Sequence, residues 1–188
     1  MRSYNIISKI IPLKALLLDV DGVLTPGGIW RADSGDQFKR FDVKDGLGLV
    51  MLKKLGFVLG AITGKESKLF EMRAAEIGIT DIYQNAPVKI PAFEDFIKKH
   101  KFLPNEVGFI GDDAIDVAVM RICGFSACPS DAAPIARRTA DWVTRSPGGY
   151  GAVREIAEII VSAKTGLYPS DEIVLSEAQK FEPKNPVK

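Results

Sequence analysis

Two carboxylates, Asp19 and Asp21, stand one residue apart at the end of the apolar run ALLLDV (residues 15–20), and Gly22 follows them directly. A carboxylate held in place can attack phosphorus and form an aspartyl-phosphate. A second carboxylate close by would then point to the leaving group and exchange a proton with it. The pair alone is also typical of a simple turn or helix cap, so the chemistry depends on which residues accompany it.

Further polar groups follow later apolar runs of the chain. Thr63 and Gly64 come at the end of FVLGAIT (57–63), and Asp112 opens the acidic stretch GDDAID. If Asp19 and Asp112 follow adjacent strands, they repel each other unless a cation lies between them, and Mg²⁺ suits such hard oxygen ligands. Thr63, the backbone N–H groups near Gly64, and Lys89 would then hold phosphoryl oxygens.

Each of these groups has an ordinary structural reading when it is taken alone. Thr-Gly is common in turns, Asp-Asp can cap a helix, and most single lysines are solvated. Here all four groups occur in one order, each at a predicted strand end or helix start. That coincidence favours a phosphoryl-transfer site over capping.

The elements that must position these groups alternate between strands and helices. Apolar runs with strand character lie at 15–20, 57–63, 106–111 and 125–128. Apolar residues at helical spacing lie at 46–56, 66–78, 88–100, 114–124 and 152–163, and a short helix is expected at the start of the chain. The pattern predicts an α/β protein with a doubly wound parallel sheet, whose carboxyl edge holds the ligand site.

One segment departs from this alternation. Residues 24–42 contain two extended pieces around the turn-rich ADSGD, which predicts a β-hairpin inserted between the first strand and the first helix. We expect one phosphatase domain over residues 1–164, including this hairpin. Residues 165–188, rich in prolines and charges, are expected to form a C-terminal tail that could reach across a subunit interface, with Lys180 or Lys184 as possible contacts.

Composition excludes several other classes of protein. The formal net charge is +1 over 188 residues, which offers no electrostatic footprint for nucleic acid or an anionic membrane. No run of eighteen apolar residues occurs, and the opening segment lacks a cleavage site of the secretory type. Two closely spaced cysteines are expected to be buried thiols in a reducing compartment, so we predict a cytoplasmic protein.

The motifs DVDGVLT, ITG, a lysine and GDDAID, in this order, resemble those of the haloacid dehalogenase superfamily of phosphohydrolases. Over residues 12–162 the wider pattern, with FDVKDGLGL, YQNAPVK and SPGGYGAVREI, is similar to the 3-deoxy-D-manno-octulosonate 8-phosphate phosphatases. The resemblance implies the haloacid dehalogenase fold, with the hairpin in place of a separate cap domain.

The resemblance also implies a role for each matching acid. Asp19 is then the nucleophile, and Asp21 is the general acid and base whose backbone carbonyl also binds the metal. Asp112 is the second carboxylate ligand, so that Asp19, Asp21 and Asp112 hold Mg²⁺. Asp113 and Asp116 complete the last motif and support the metal site and the motif lysine.

The phosphate and sugar contacts follow in the same way. Thr63, Gly64 and Lys89 are implied to bind phosphate. Lys65, which stands where arginine is common in the family, and Arg73 are our candidates for the carboxylate of a sugar acid, because one helical face could present both. A solvated basic face is the competing explanation for that pair.

The expected activity is the Mg²⁺-dependent hydrolysis of 3-deoxy-D-manno-octulosonate 8-phosphate in lipopolysaccharide precursor synthesis. A nonulosonate 9-phosphate phosphatase and a non-catalytic oligomeric module on the same fold are the alternatives. The resemblance implies a homotetramer, and the apolar residues of the hairpin (Ile29, Trp30, Phe38 and Phe41) are more than a lone two-stranded ribbon can bury.

Overall fold

The computed structural model describes residues 2–35 and 37–166 of the chain. Its strands, in chain order, are β1 (Ala15–Leu18), β2 (Trp30–Arg31), β3 (Gln37–Phe38), β4 (Val58–Ile62), β5 (Asp81–Tyr83), β6 (Val107–Ile110), β7 (Phe125–Cys128) and β8 (Trp142–Val143). Six of them form one parallel sheet in the spatial order β5-β4-β1-β6-β7-β8, and β2 and β3 form the antiparallel hairpin. The predicted doubly wound α/β fold with an inserted hairpin is therefore confirmed.

Helices cover both faces of this sheet. The helices are α1 (Arg2–Ile10), α2 (Val43–Lys54), α3 (Lys68–Ile77), α4 (Ile90–His100), α5 (Val117–Ile122), α6 (Pro134–Thr139) and α7 (Ala152–Thr165). Buried side chains of α1, α2, α3 and α7 share one apolar cluster with Leu16 and Leu18 of β1, and those of α4, α5 and α6 share the other with Ala15 and Leu17. Because β1 is buried on both faces, its sequence is continuously apolar rather than alternating.

The elements that sequence reasoning missed are all short. Strands β5 and β8 have three and two residues, and α6 has six, so none is long enough for its pattern to repeat clearly. The helix expected at 114–124 is divided into a 3₁₀ turn over Ala114–Asp116 and the shorter α5. Helix α7 continues to Thr165, and the predicted tail beyond Gly166, with Lys180 and Lys184, lies outside the described residues.

Strand order decides where a ligand can bind. From β1 the chain continues to β4 on one side, and it later returns to pair β6 on the other side of β1. The connections therefore leave β1 in opposite directions and open a crevice beyond its carboxyl end. Asp19, Thr63 and Asp112 follow β1, β4 and β6 respectively, so the fold brings the predicted groups to one edge.

The hairpin rises beside this edge, and among the described residues it is the one insert between β1 and α2. Its two-residue strands pair Trp30 with Phe38. Trp30, Phe38 and Ile29 are exposed, whereas Phe41 packs against the larger core cluster. Among the described residues, no helix is both long and apolar enough to cross a bilayer.

A buried carboxylate joins α2 to α7 on the more heavily covered face. Asp45, in the first turn of α2, has no exposed surface and accepts hydrogen bonds from the backbone N–H groups of Gly151 (3.1 Å) and Arg154 (2.8 Å). It thus takes up N–H groups that α7 leaves without partners inside the helix. Burial raises the pKa of the Asp45 carboxyl, and the two N–H donors work in the opposite direction.

Asp45→Ala should lower the free energy of unfolding by about 2–3 kcal/mol, because it leaves buried N–H donors of α7 without an acceptor. Urea denaturation followed by circular dichroism measures this change. Glu94→Ala, at an exposed position of α4, is the matched control and should change the midpoint little. Equal midpoints for Asp45→Ala and the wild type would contradict this role for Asp45.

Candidate active site at the carboxyl edge of the sheet

A buried lysine lies at the centre of the site. The Lys89 side chain has no exposed surface, and its Nζ lies 3.0 Å from Oδ1 of Asp19 and 2.5 Å from Oδ1 of Asp116. The position of Lys89 immediately before α4 sends its side chain beneath the ends of β1 and β6. A buried ammonium is tolerated when carboxylates surround it. The two ion pairs join the start of α4 to the end of β1 and to the turn after β6.

Asp19, the predicted nucleophile, lies at the end of β1. Its Oδ1 accepts a hydrogen bond from the backbone N–H of Val20 at 2.7 Å, which fixes the direction of the carboxylate. Only 5% of the residue is exposed. Burial raises the pKa of the Asp19 carboxyl from 3.8 to about 6, with the charge on Lys89 acting against this shift.

Asp116 serves as a support for its neighbours. Its Oδ2 accepts the backbone N–H groups of Asp112 (2.9 Å) and Asp113 (3.1 Å), while its Oδ1 faces Lys89. Both oxygens are therefore engaged with the chain itself. Asp113 is exposed and caps the 3₁₀ turn by accepting the N–H of Ala114 at 2.6 Å, so its contribution to the site runs through the backbone.

The third acid, Asp112, is half-buried and leaves one oxygen for a ligand. One oxygen from each of Asp19, Asp112 and Asp116 lies within 4.8 Å of the other two, and Oδ1 of Asp112 is buried without a hydrogen-bond partner. Burial, followed by the charges on Asp19 and Asp116, raises the pKa of the Asp112 carboxyl to about 8. Clustered hard oxygens that repel one another fit a divalent cation such as Mg²⁺, which would remove the repulsion.

Gly22 makes this close packing possible. Its φ of +93° favours glycine, and a Cβ at this position would lie 2.1 Å from Oδ2 of Asp112. The Asp112 carboxylate therefore rests against bare backbone of the turn that follows Asp21. The sequence shows the glycine of DVDG, but the partner that requires it comes from a strand about ninety residues away.

Asp21 points away from the acidic cluster and lines a cavity. Its side chain is about one-third exposed, and Oδ1 lies 2.6 Å from Nζ of Lys39 and 3.4 Å from the hydroxyl oxygen of Thr25. The predicted metal contact of Asp21 is through its backbone carbonyl, so this outward side chain is compatible with it. Lys39 belongs to the hairpin, and sequence reasoning did not single it out.

The predicted phosphate-binding residues line the same edge. Thr63 follows β4, is buried, and accepts the backbone N–H of Lys65 at 3.5 Å, which shapes the turn that contains Gly64. Gly64 and Lys65 lie on the wall of the neighbouring cavity, whereas Lys89 is buried beside Asp19 and is not among the residues that line it. This placement is compatible with phosphate binding by Thr63, Gly64 and Lys89, which stays a prediction.

The cavity above Asp21 has a volume of about 610 Å³ and lies between the hairpin and the turn after β4. Four of its lining residues are basic and two are acidic, and these are Arg31, Lys39, Lys65, Lys68, Asp21 and Glu66. The excess of positive charge suits a substrate that carries both a phosphate and a carboxylate. Trp30 and Phe38 add an apolar wall.

Lys65 and Arg73 are not brought together as the helical spacing suggested. Lys65 lies before α3 and faces the cavity. Arg73 pairs with Glu76 at 2.9 Å, and its guanidinium packs on Gly46 of α2, where a Cβ would lie 2.1 Å from it. The Arg73 guanidinium can pack against α2 because Gly46 has no side chain that would exclude it. Its contact with a sugar carboxylate stays a prediction.

Comparison with known proteins agrees with this geometry. Fold and site together define a phosphohydrolase whose buried lysine lies beside Asp19 and beside an acidic cluster that suits a cation. Residues 50–156 match the family model described as haloacid dehalogenase-like hydrolase. The chain belongs to the haloacid dehalogenase-like hydrolase family, as its motifs indicated.

Within that family, three similar proteins carry the same name. The chain is 40% identical over 162 residues to the 3-deoxy-D-manno-octulosonate 8-phosphate phosphatase of Escherichia coli K12, which covers 86% of each chain. The crystal structure of the Yersinia pestis phosphatase of this name superposes with a TM-score of 0.83 at 38% identity, covering 85% of this chain and 86% of that one. The Moraxella catarrhalis phosphatase, in complex with magnesium, phosphate and a KDO molecule, superposes with a TM-score of 0.87 at 35% identity, covering 92% and 98%.

The raised carboxyl pKa values predict how metal binding depends on pH. In the protein without a cation, Asp19 and Asp112 keep their protons to about pH 6 and about pH 8, above the value of 3.8 for the unfolded chain. Their contribution to stability is therefore full below about pH 4 and is lost as the pH rises through those values. Because Mg²⁺ binds the deprotonated carboxylates, its stabilising effect should grow over the same range.

We expect saturating Mg²⁺ to raise the melting temperature by about 5–10 °C at pH 8 and by much less at pH 5. Differential scanning fluorimetry with and without EDTA measures both shifts. Asp112→Asn should remove most of the shift at pH 8, while it raises the stability of the metal-free protein by relieving repulsion. A shift of the same size at both pH values, or one retained in Asp112→Asn, would exclude this cation site.

Proposed function

We propose that this chain is a Mg²⁺-dependent phosphatase that hydrolyses 3-deoxy-D-manno-octulosonate 8-phosphate to the free sugar acid and phosphate, in the cytoplasmic route to lipopolysaccharide. The observation that carries the proposal is the complete motif set in one buried site of a chain that is 40% identical to a phosphatase of this name over 86% of its length. The basic cavity above Asp21 has the charge that a phosphorylated sugar acid requires.

The reaction begins at Asp19. A carboxylate oxygen of Asp19 forms a bond to phosphorus as the bond between phosphorus and the sugar oxygen breaks, and Asp21 gives its proton to that oxygen. Lys89 holds Asp19 in line throughout, since its ammonium lies 3.0 Å from the carboxylate. A bound Mg²⁺, held by Asp19, Asp112 and the backbone carbonyl of Asp21, supplies positive charge for the phosphoryl oxygens.

The second half returns the enzyme to its starting state. Asp21, now deprotonated, takes a proton from a water molecule as the water oxygen attacks the phosphorus of the aspartyl-phosphate. Cleavage of the bond to Asp19 releases phosphate and restores both carboxyl groups. Asp21 lines the cavity and Asp19 is almost fully buried, and the proposed reaction needs the phosphoryl group to lie between the two carboxyl groups.

The sugar end of the substrate lies towards the hairpin in this proposal. Lys65 faces the cavity and is our candidate for the sugar carboxylate, with Arg31 and Lys68 nearby on the same wall. A nonulosonate 9-phosphate would need similar contacts, but the similar proteins named above do not favour it. A non-catalytic module has no need for Asp19, Asp112 and Lys89 in one buried cluster, which is costly to maintain.

The direct test is phosphate release from a panel of sugar acid phosphates in the presence of Mg²⁺. We expect 3-deoxy-D-manno-octulosonate 8-phosphate to give the highest kcat/KM, ahead of a nonulosonate 9-phosphate. Asp19→Asn should lower turnover by more than about a thousandfold, because an amide does not attack phosphorus. Glu94→Gln, an exposed change on α4, is the control and should match the wild type. Preference for the nine-carbon substrate would replace the proposed substrate, and turnover retained in Asp19→Asn would exclude the mechanism.

We further propose that four copies assemble through their hairpins. Ile29, Trp30 and Phe38 are 66%, 47% and 59% exposed in a ribbon whose strands have only two residues each. A ribbon of that size is marginal alone, and a neighbouring copy would both bury its apolar side and wall the open cavity. The residues from 165 onwards remain the predicted tail of such an assembly.

Trp30→Asp should dissociate the assembly, because it places a charge in the apolar interface. Light scattering should give a mass of four subunits for the wild type and a smaller one for the variant. The kcat/KM for the sugar acid phosphate should fall about tenfold or more, as the cavity loses a wall. Leu103→Asp, an exposed apolar position before β6, controls for the added charge. A wild type with the mass of one subunit and full activity would refute the assembly.

A further inference from the structure

A lysine of the hairpin contacts the side chain to which the mechanism assigns proton transfer. Nζ of Lys39 lies 2.6 Å from Oδ1 of Asp21, and only 17% of the Lys39 side chain is exposed. The other polar contact of this carboxylate, to the hydroxyl of Thr25, is longer at 3.4 Å. Asp21 itself is about one-third exposed in a wide cavity, so the short contact to Lys39 limits where its carboxylate can point.

The backbone beside Lys39 is anchored to the body of the protein. The guanidinium of its neighbour Arg40 donates hydrogen bonds to the carbonyl of Gly149 and to Asp42, and it lies 4.1 Å from the centre of the Tyr150 ring. Asp42 in turn caps α2 by accepting the N–H of Lys44. These contacts hold position 39 independently of the exposed tip of the hairpin.

The loop of residues 147–151, which contains the Gly149 and Tyr150 partners of Arg40, also contacts the turn that follows Asp21. The N–H of Gly149 donates to the carbonyl of Val23 at 2.9 Å, and a Cβ on Gly148 would lie 1.8 Å from the carbonyl oxygen of Gly22. These residues therefore pack against the turn that follows Asp21, and they also bind Arg40. The contacts are therefore continuous. The turn after Asp21 contacts the loop, the loop binds Arg40, and Lys39 beside Arg40 contacts the Asp21 carboxylate.

We propose that Lys39 is a positioning residue for Asp21. Its ammonium engages Oδ1 of Asp21, so that Oδ2 can carry the proton to the leaving oxygen of the substrate and, in the second half of the reaction, take a proton from the attacking water. The proposal rests on the proposed function, in which Asp21 is the general acid and base. It deepens that function by making the hairpin part of the proton-transfer apparatus as well as a wall of the cavity.

This role has a consequence that a direct substrate contact would not have. A sugar alkoxide is a poor leaving group and needs its proton, whereas p-nitrophenolate leaves with little help. Loss of Lys39 should therefore slow the sugar acid phosphate much more than p-nitrophenyl phosphate. When Asp21 has already been replaced by Asn, the further loss of Lys39 should change the rate of phosphoryl transfer little. The effects of substitutions at residues that act together do not add.

The experiment is a double-mutant cycle of Lys39→Met, Asp21→Asn and the double variant, measured in single turnovers with both substrates and Mg²⁺. We expect Lys39→Met to slow phosphoryl transfer from the sugar acid phosphate about 10- to 100-fold and that from p-nitrophenyl phosphate less than about threefold. In the Asp21→Asn background, the added effect of Lys39→Met should be less than about threefold on either substrate. Lys98→Met, which removes an exposed lysine of α4, is the matched control and should behave as the wild type.

Two results would overturn the proposal. An equal loss on both substrates, or an undiminished loss in the Asp21→Asn background, would assign Lys39 to direct substrate or phosphate binding. Lys39→Arg keeps the positive charge and a side chain of similar length, so it should retain most of the rate of phosphoryl transfer. If Lys39→Met loses its folded circular dichroism spectrum, Lys39→Gln replaces it in the cycle. If the wild type hydrolyses p-nitrophenyl phosphate but not the sugar acid phosphate, the proposed substrate fails, and the cycle is then read with glycerol phosphate as the alkyl ester.

Discussion

The buried ion pairs of Lys89 are the interaction on which the rest of the site depends. An ammonium without exposed surface is unfavourable unless carboxylates accompany it, and Asp19 and Asp116 do so at 3.0 and 2.5 Å. These contacts join the end of β1, the start of α4 and the turn after β6. The same lysine offsets part of the repulsion among three acids. Burial, and then the charges on Asp19 and Asp116, still raise the pKa of Asp112, and a bound divalent cation would favour its charged form. Folding and metal binding are thus coupled through one cluster of charges.

The second constraint is steric, and it acts on the turn that contains Asp21. Gly22 lies against the Asp112 carboxylate on one side and, through its carbonyl, against Gly148 on the other. Side chains at either glycine would separate β1 from β6 or from the loop before α7. That loop is held in turn by Asp45, whose carboxylate accepts N–H groups at the start of α7. Asp45, a buried acid remote from the cavity, therefore contributes to the placement of Asp21.

The hairpin combines two tasks that need different surfaces. Its base, at Lys39 and Arg40, is polar and is fixed to the body of the protein by hydrogen bonds and a ring contact. Its outer part, with Trp30 and Phe38, is apolar and exposed, and it lines the cavity. The anchored part contacts Asp21 through Lys39, and the exposed apolar part forms a wall of the cavity.

The sequence by itself determined the α/β fold, the order of the long elements, the hairpin and the set of acids at the strand ends, because periodicity and strand-end position are local properties. It also placed Thr63 and Lys89, since each follows or begins an element that the pattern identifies. Only the tertiary structure decided that Asp112 rests against the backbone of Gly22, that Arg73 turns towards Gly46, and that Lys39 reaches Asp21. These contacts join residues from different elements, and their geometry depends on strand order and on how closely helices pack. The short elements β5, β8 and α6 were missed for a related reason: the neighbouring sheet and helices hold them in place, and too few residues carry a pattern of their own.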